Sequence, residues 1–307
     1  MTDWERRRAI PAPGPLTLEF PENAWIEYAW LDGSGQPFAD PDNPKLSNNP
    51  WWTYPRAVET GSYPFHPDLA PVPSLSGSIE RLSWPGGVFP GTRRAYLYRP
   101  PAAQDPLPIF YVQDGIAFYR TGKLQEVYEA LWRKGALLPA AFVFIEPADR
   151  TEEYYLNDRY LDFLVKEVFP RAEERLGAPL WRGLWGASLG GLASLYLAWK
   201  HGELFRRVVT HSAALRAEPG DPDRDAVHAP EWLLGQLTAE PPTHLRISAD
   251  VGLLEWLLPA NRRLAALLAE TEVAHRYLEQ PSGHNWVTWR NALPAALRFQ
   301  LGRDLPA

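Results

Sequence analysis

The chain has 307 residues, 45% of them hydrophobic, with 14 Trp, no Cys and a net charge of −6. That is enough for one large domain, or one domain with a smaller attachment, and the absence of Cys excludes disulfides, thiolate nucleophiles and Cys metal sites. Lys and Arg are scattered along the chain, which gives no nucleic-acid footprint, and no run approaches the ~18 apolar residues that span a bilayer.

Residues 1–76 read as a β-rich N-terminal extension. Leu16–Phe20 and Ala24–Leu31 have strand character, and Asp32-Gly33-Ser34-Gly35 is a turn. Asp40-Pro41-Asp42-Asn43-Pro44 and Asn48-Asn49-Pro50-Trp51-Trp52 are punctuated loops. Asp40, Asp42 and Asn43 allow a cation site, but Asx-Pro pairs make turns unaided, and the turn reading is preferred. Met1 to Pro15 is charged and Pro-rich without the apolar core of a secretory signal, so a cytoplasmic location is expected.

Residues 77–307 alternate between strand and helix patterns. Ile79–Trp84 and Arg93–Arg99 read as strands joined across Pro85-Gly86-Gly87. Pro108–Gln113 and Ala140–Glu146 are short apolar runs of the kind that fill the middle of a parallel sheet. Lys123–Lys134 and Asn157–Leu176 have helical periodicity. Pro179–Trp185, Arg206–Thr210, His244–Ala249 and Ala274–Gln280 are further strands. Ala260–Glu270 reads as a helix, and Trp286–Leu301 as a closing helix interrupted near Pro294. Such alternation predicts an α/β fold with a doubly wound, mostly parallel sheet and helices on both faces. The Pro/Asp-rich stretch Glu218–Pro230 is expected to form part of a lid.

The chemistry centres on Gly186-Ala187-Ser188-Leu189-Gly190, a Gly-x-Ser-x-Gly between a strand and a helix. A turn this tight leaves no room for side chains at the flanking positions, and it pushes the serine hydroxyl out at its tip. A serine hydroxyl needs a base, and the base needs a carboxylate to fix its tautomer. In sheets of this kind the chain order is Ser, acid, His. Of the 7 His, His284 sits in a loop after the last strand, where functional groups gather, whereas His275 lies inside a strand. Asp250 and Glu255 both qualify by position as the acid, and spacing alone leaves the two open. One oxyanion donor is expected from the N–H of Leu189. The other is expected from the loop after an earlier strand, through Ile116 or Gly115. Asp114 is expected to be a buried carboxylate holding that loop.

A set of motifs in order extends this reading: Asp114-Gly115, Arg150-Thr151-Glu152-Glu153-Tyr154, Gly186-Ala187-Ser188-Leu189-Gly190-Gly191, His211-Ser212, Gly252-Leu253-Leu254-Glu255, Asn261-Arg262 and Gly283-His284-Asn285-Trp286-x-x-Trp289. Over about Ser78 to Leu301 the chain resembles the esterase family that includes esterase D and bacterial enterochelin esterases. The resemblance implies an α/β-hydrolase-type fold and a serine carboxylic-ester hydrolase. It favours Glu255 over Asp250, pairs Arg150 with Glu153 in the active-site wall, and places Ser212 along that wall. On their own, Arg150 and Glu153 are an ordinary i,i+3 surface pair. Asp40-Pro41-x-Asn43-Pro44 extends the likeness to enterochelin esterases into the N-terminal part. That part is shorter than the domain those enzymes carry, and no compact basic cluster in the sequence suits a ferric catecholate.

The expected activity is therefore hydrolysis of a small-molecule ester through an acyl-enzyme on Ser188, with His284 as base and no metal or organic cofactor. An acyltransferase using the same residues shares that intermediate. A carbohydrate- or partner-binding protein on a retired scaffold, stacking ligands on Trp51 and Trp52, is the non-enzyme alternative. The oligomeric state is not set by the sequence.

Overall fold

The computed structural model describes residues 2–3, 8–10, 14, 17–47, 49, 53–69, 72, 74–101, 106–224 and 228–303. In chain order its strands are Thr2–Asp3 (β1), Arg8–Ala9 (β2), Trp25–Tyr28 (β3), Trp30–Leu31 (β4), Pro37–Phe38 (β5), Arg56–Glu59 (β6) and Ser78–Pro85 (β7). Then follow Thr92–Arg99 (β8), Leu107–Val112 (β9), Ala141–Glu146 (β10), Pro179–Ala187 (β11), Phe205–His211 (β12), Arg246–Leu254 (β13) and Ala274–Gly283 (β14). The helices are Gly115–Ala117 (α1), Leu124–Arg133 (α2), Arg150–Tyr154 (α3), Asp158–Phe163 (α4), Phe169–Leu176 (α5), Leu189–Lys200 (α6), Trp232–Ala239 (α7), Leu258–Ala269 (α8) and Trp286–Leu301 (α9).

β1 pairs with β2 and β4 with β5; the other strands form one ten-stranded sheet in the order β6-β3-β14-β13-β12-β11-β9-β10-β8-β7. From β14 to β10 all neighbours are parallel. The β7–β8 hairpin closes one edge in antiparallel fashion. At the other edge β3 meets β14 in parallel through Trp25 and Ser282, and β6 runs antiparallel to β3. Two strands from before residue 77 thus belong to the same sheet as the rest.

Every residue of β9 is buried, because the sheet is covered on both faces and successive side chains point to opposite sides. Ile109 and Tyr111 join Phe163 of α4, Leu192 of α6 and Leu264 of α8 on one side. Phe110 and Val112 join Leu131 of α2 and Leu293 of α9 on the other. Parallel connectivity brings the C-terminal ends of β11, β12, β13 and β14 to one edge of the sheet, where their loops meet.

Several elements differ from the sequence reading. α9 is continuous through Pro294, which removes one backbone donor but lies in a helix buried along most of its length. The Asn157–Leu176 stretch is one helical run with a π-turn, Leu164–Val168, in its middle. Residues 17–20 form no strand, and Leu16, Trp51 and Trp52 lie outside the described residues. β13 extends past Ala249 to Leu254, which moves Asp250 from a strand tip to a strand interior. Asp40 and Asn43 serve turns and packing: Tyr28 Oη donates to Asp40 (2.6 Å), the Asp42 N–H donates to Asp40, and Asn43 Nδ2 donates to the Ala57 carbonyl. Among the described residues no helix is long and apolar enough to cross a membrane.

Candidate active site

β11 delivers Ser188 to α6 through a turn in which Ser188 itself has φ 56° and ψ −121°. A non-glycine residue reaches this region only under strain, which the surroundings must hold in place. They do so through the backbone: Ser188 N–H donates to the His211 carbonyl (2.8 Å), and Ala214 N–H donates to the Ser188 carbonyl (3.1 Å). The close approach also explains Gly186, where a Cβ would sit 2.2 Å from the Gly190 carbonyl oxygen. α6 starts at Leu189, so helix geometry leaves the first-turn N–H groups without intrahelical acceptors at the side of the serine.

His284 follows β14, and its Nδ1 lies 2.6 Å from Glu255 Oε2. Glu255, directly after β13, is fully enclosed; its Oε1 accepts from Ser212 Oγ (2.7 Å) and from the Gly252 N–H (2.5 Å). Ser212 Oγ in turn accepts from Trp289 Nε1 (3.0 Å). With Nδ1 facing a carboxylate, the His284 ring carries its proton there and leaves Nε2 as the basic nitrogen. Trp289 stands edge-on to the His284 ring at 5.0 Å between centroids, and Trp256 flanks it at 4.7 Å. Ser212 therefore contacts the carboxylate of Glu255, while its neighbours His211 and Ala214 hold the backbone of Ser188. One network links the ends of β11, β12, β13 and β14.

Asp250 belongs to a different pair. His211 Nδ1 is 2.7 Å from Asp250 Oδ2, and His211 Nε2 accepts from Trp185 Nε1 (2.9 Å), with Asp250 and His211 fully buried. Because Trp Nε1–H can only donate, His211 Nε2 must be unprotonated and the Nδ1 proton faces Asp250. The two stand in register on β12 and β13, next to Ala187 of β11.

The loop after β9 brings Asp114, Gly115 and Ile116 to the same edge. Asp114 has φ 53°, and its N–H donates to Tyr154 Oη (3.0 Å). A Cβ on Gly115 would lie 2.2 Å from the Ile145 backbone N, so only glycine lets the loop pack against β10. Ile116, half-buried, follows in α1, where the first N–H groups again have no intrahelical acceptor.

The expected pairing of Arg150 with Glu153 does not form. Arg150 makes a bidentate contact with Asp114 (2.8 and 2.9 Å) and donates to the Ala187 carbonyl (3.1 Å), so it ties the Asp114 loop to the strand carrying Ser188. Glu153 turns inward and pairs with Arg93 (2.6 and 2.7 Å), both essentially without solvent exposure. Burial opposes the Arg93 charge, but Glu153 more than offsets it and the guanidinium pKa stands above its ordinary value. Two residues three apart on α3 thus face different partners. Arg93 carried no signal in the sequence, since a charged residue at a strand start reads as exposed. Trp289 stood in a motif, but nothing in its spacing predicted the bond to Ser212. Among the described residues no cluster of three His, Asp or Glu side chains is arranged to hold a metal ion.

Residues 87–300 match the Esterase family, described as Putative esterase. The uncharacterized protein YbbA of Bacillus subtilis is 31% identical over 140 residues, which is 38% of this chain and 55% of that protein. The iron(III) enterobactin esterase of Escherichia coli is 23% identical over 320 residues, 95% of this chain and 73% of that one. The chain thus spans between about half and three quarters of the length of these relatives. The crystal structure of the Shigella flexneri enterobactin esterase superposes with a TM-score of 0.74 at 23% identity, over 86% of this chain and 69% of that one. Matched over most of its length and superposing on an enterobactin esterase, the chain belongs to the Esterase family in its α/β-hydrolase-type fold.

Proposed function

We propose that the chain hydrolyses small-molecule carboxylic esters through a serine acyl-enzyme, with residues 77–307 as the catalytic unit and 1–76 as an extension of it. Ser188 Oγ attacks the ester carbonyl while His284 Nε2 takes its proton. Glu255 holds the imidazole in the required tautomer and stabilises the imidazolium that forms. The N–H groups of Leu189 and Ile116 receive the oxyanion, with Gly115 giving the loop its close approach. Collapse of the tetrahedral intermediate breaks the C–O bond, and His284 returns the proton to the leaving alcohol. Water, deprotonated by the same histidine, then releases the acid and regenerates Ser188. Asp114, Arg150 and Ser212 line and brace this wall, whereas Glu153 supports it from beneath through Arg93.

The observation that carries the reading is the 2.6 Å contact between His284 Nδ1 and Glu255 at the same sheet edge as the strained Ser188 turn. Labelling of the intact protein by a fluorophosphonate, abolished in Ser188→Ala together with hydrolysis of activated esters, is the expected result. Wild-type turnover in Ser188→Ala would sink the proposal. The names of the relatives make ferric catecholate esters the first natural substrates to try beside simple acyl esters.

A further inference from the structure

Opposite the candidate active site, at the N-terminal edge of the parallel strands, one cross-strand row runs Gly183, Arg207, Arg246, Ala274. Residues in register on neighbouring strands share a face of the sheet. Two long cationic side chains therefore stand side by side, flanked by the two smallest residue types. At this edge lies a cavity of about 260 Å³ whose lining includes Trp181, Arg206, Arg207, His244, Arg246 and Ala274.

Acidic residues outnumber basic ones, 37 to 31, and many arginines pair with carboxylates, as Arg93, Arg150, Arg182, Arg262 and Arg263 do, while others, Arg159 and Arg290 among them, bond backbone carbonyls. Among the described residues Arg206, Arg207 and Arg246 have no carboxylate partner. They are held by other means. Arg207 lies 5.2 Å over the Trp181 ring, and Arg246 lies 4.1 Å over Phe299 with Nε on the Phe299 carbonyl (2.9 Å). Arg206 donates to the Gly202 carbonyl (3.0 Å). Burial, and then the like charge of Arg246, push the Arg207 pKa below its ordinary value. Like charges directly across two strands weaken a sheet, so this row costs stability unless something of opposite charge sits on it.

We propose that this cavity binds a small, multiply charged oxyanion, a phosphate or diphosphate group. A guanidinium presents a planar fork of donors that matches phosphate oxygens two at a time, and aromatic rings beneath Arg207 and Arg246 fix the planes of those forks in advance. No ion pair has to break for the anion to enter. The site stands apart from Ser188 at the other end of the strands, so it does not depend on the esterase reading.

The test is calorimetric titration with inorganic phosphate and with pyrophosphate at constant ionic strength, together with melting curves. The full-length protein should bind pyrophosphate saturably at one site and melt at a higher temperature in its presence. The Arg207→Gln/Arg246→Gln variant should lose at least tenfold in affinity, keep its ester hydrolysis, and melt without anion no lower than the wild type. Arg207→Lys/Arg246→Lys keeps the charge and loses the forks, and a severalfold loss of affinity there supports the same site should the Gln variant fold poorly. Equal pyrophosphate shifts in wild type and both variants, or an equal shift from sodium chloride at matched ionic strength, would overturn it.

Discussion

Asp250 lies inside β13 and Glu255 directly follows it, yet each holds the Nδ1 of a different histidine, His211 and His284. His211 is fully buried and meets Ser188 through its backbone carbonyl, whereas His284 stands in the loop after β14. Glu255→Gln should lower kcat by about 10⁴, the scale seen when a triad carboxylate becomes an amide. Asp250→Ala should do the reverse. It strands a buried donor at a cost of about 1–3 kcal/mol and leaves turnover of the folded protein within about tenfold. Rate measurements beside melting curves separate the two, and a larger turnover loss in Asp250→Ala would reassign the acid.

Ser212 is the contact between Glu255 and Trp289. Trp289→Phe keeps a ring against His284 but removes the donor to Ser212, so kcat should fall about tenfold with KM little changed, the pattern of an interaction that matters in the transition state. Ser212→Ala leaves the Trp289 N–H buried without that acceptor and should also lower stability by about 1–3 kcal/mol. Unchanged kcat in both variants would reduce Ser212 to packing.

The Arg93–Glu153 pair is sealed from solvent, and one partner without the other is an unpaired buried charge. Glu153→Ala should cost about 3–5 kcal/mol in denaturant unfolding. The double replacement Arg93→Met/Glu153→Leu should recover part of that loss, since the ion pair's desolvation goes with it while the Ala148 and Asp149 N–H groups lose their Glu153 acceptor. A double variant no more stable than Glu153→Ala would contradict this account.

Glu27 gives the N-terminal strand a pH dependence. Burial pushes its carboxyl up to about 7, against a smaller opposing effect of the Trp25 hydrogen bond. A carboxyl raised on folding takes up a proton as the chain folds, so its contribution is most favourable below the unfolded pKa near 4.5 and is lost as pH rises through about 7. The melting temperature of wild type relative to Glu27→Gln should therefore fall between about pH 5 and pH 7 and level off above. A constant difference across that range would show that Glu27 titrates normally.

The parts legible in the sequence were those with local causes. A glycine-flanked serine between an apolar run and a helical repeat can form only a few kinds of turn, and His284 was marked by its glycine-bounded loop. The long-range pairings had no local cause. Arg93 and Glu153 are brought together by β8 and α3, and their mutual burial leaves no trace in either neighbourhood. Asp250 looked like a strand tip because a carboxylate normally ends an apolar run. Its partner His211, on the neighbouring strand, lets the strand continue past it. Pro294 reads as a break, but packing along α9 outweighs one missing hydrogen bond.

The strand that leads into His284 has a neighbour supplied by residues before 60. β14 meets β3, and beyond β6 the chain lies along α9: Asn291 bonds the Pro64 carbonyl and the His66 N–H, while Asp68 pairs with Arg298 and Lys134. A chain cut back to residue 77 would unpair the end of β14 at Ser282 and uncover Val287, which packs with Trp25, Ala57 and Tyr63. Such an edge is a template for sticking to its own copies. Truncation should therefore favour aggregation, and it would loosen the loop that carries His284.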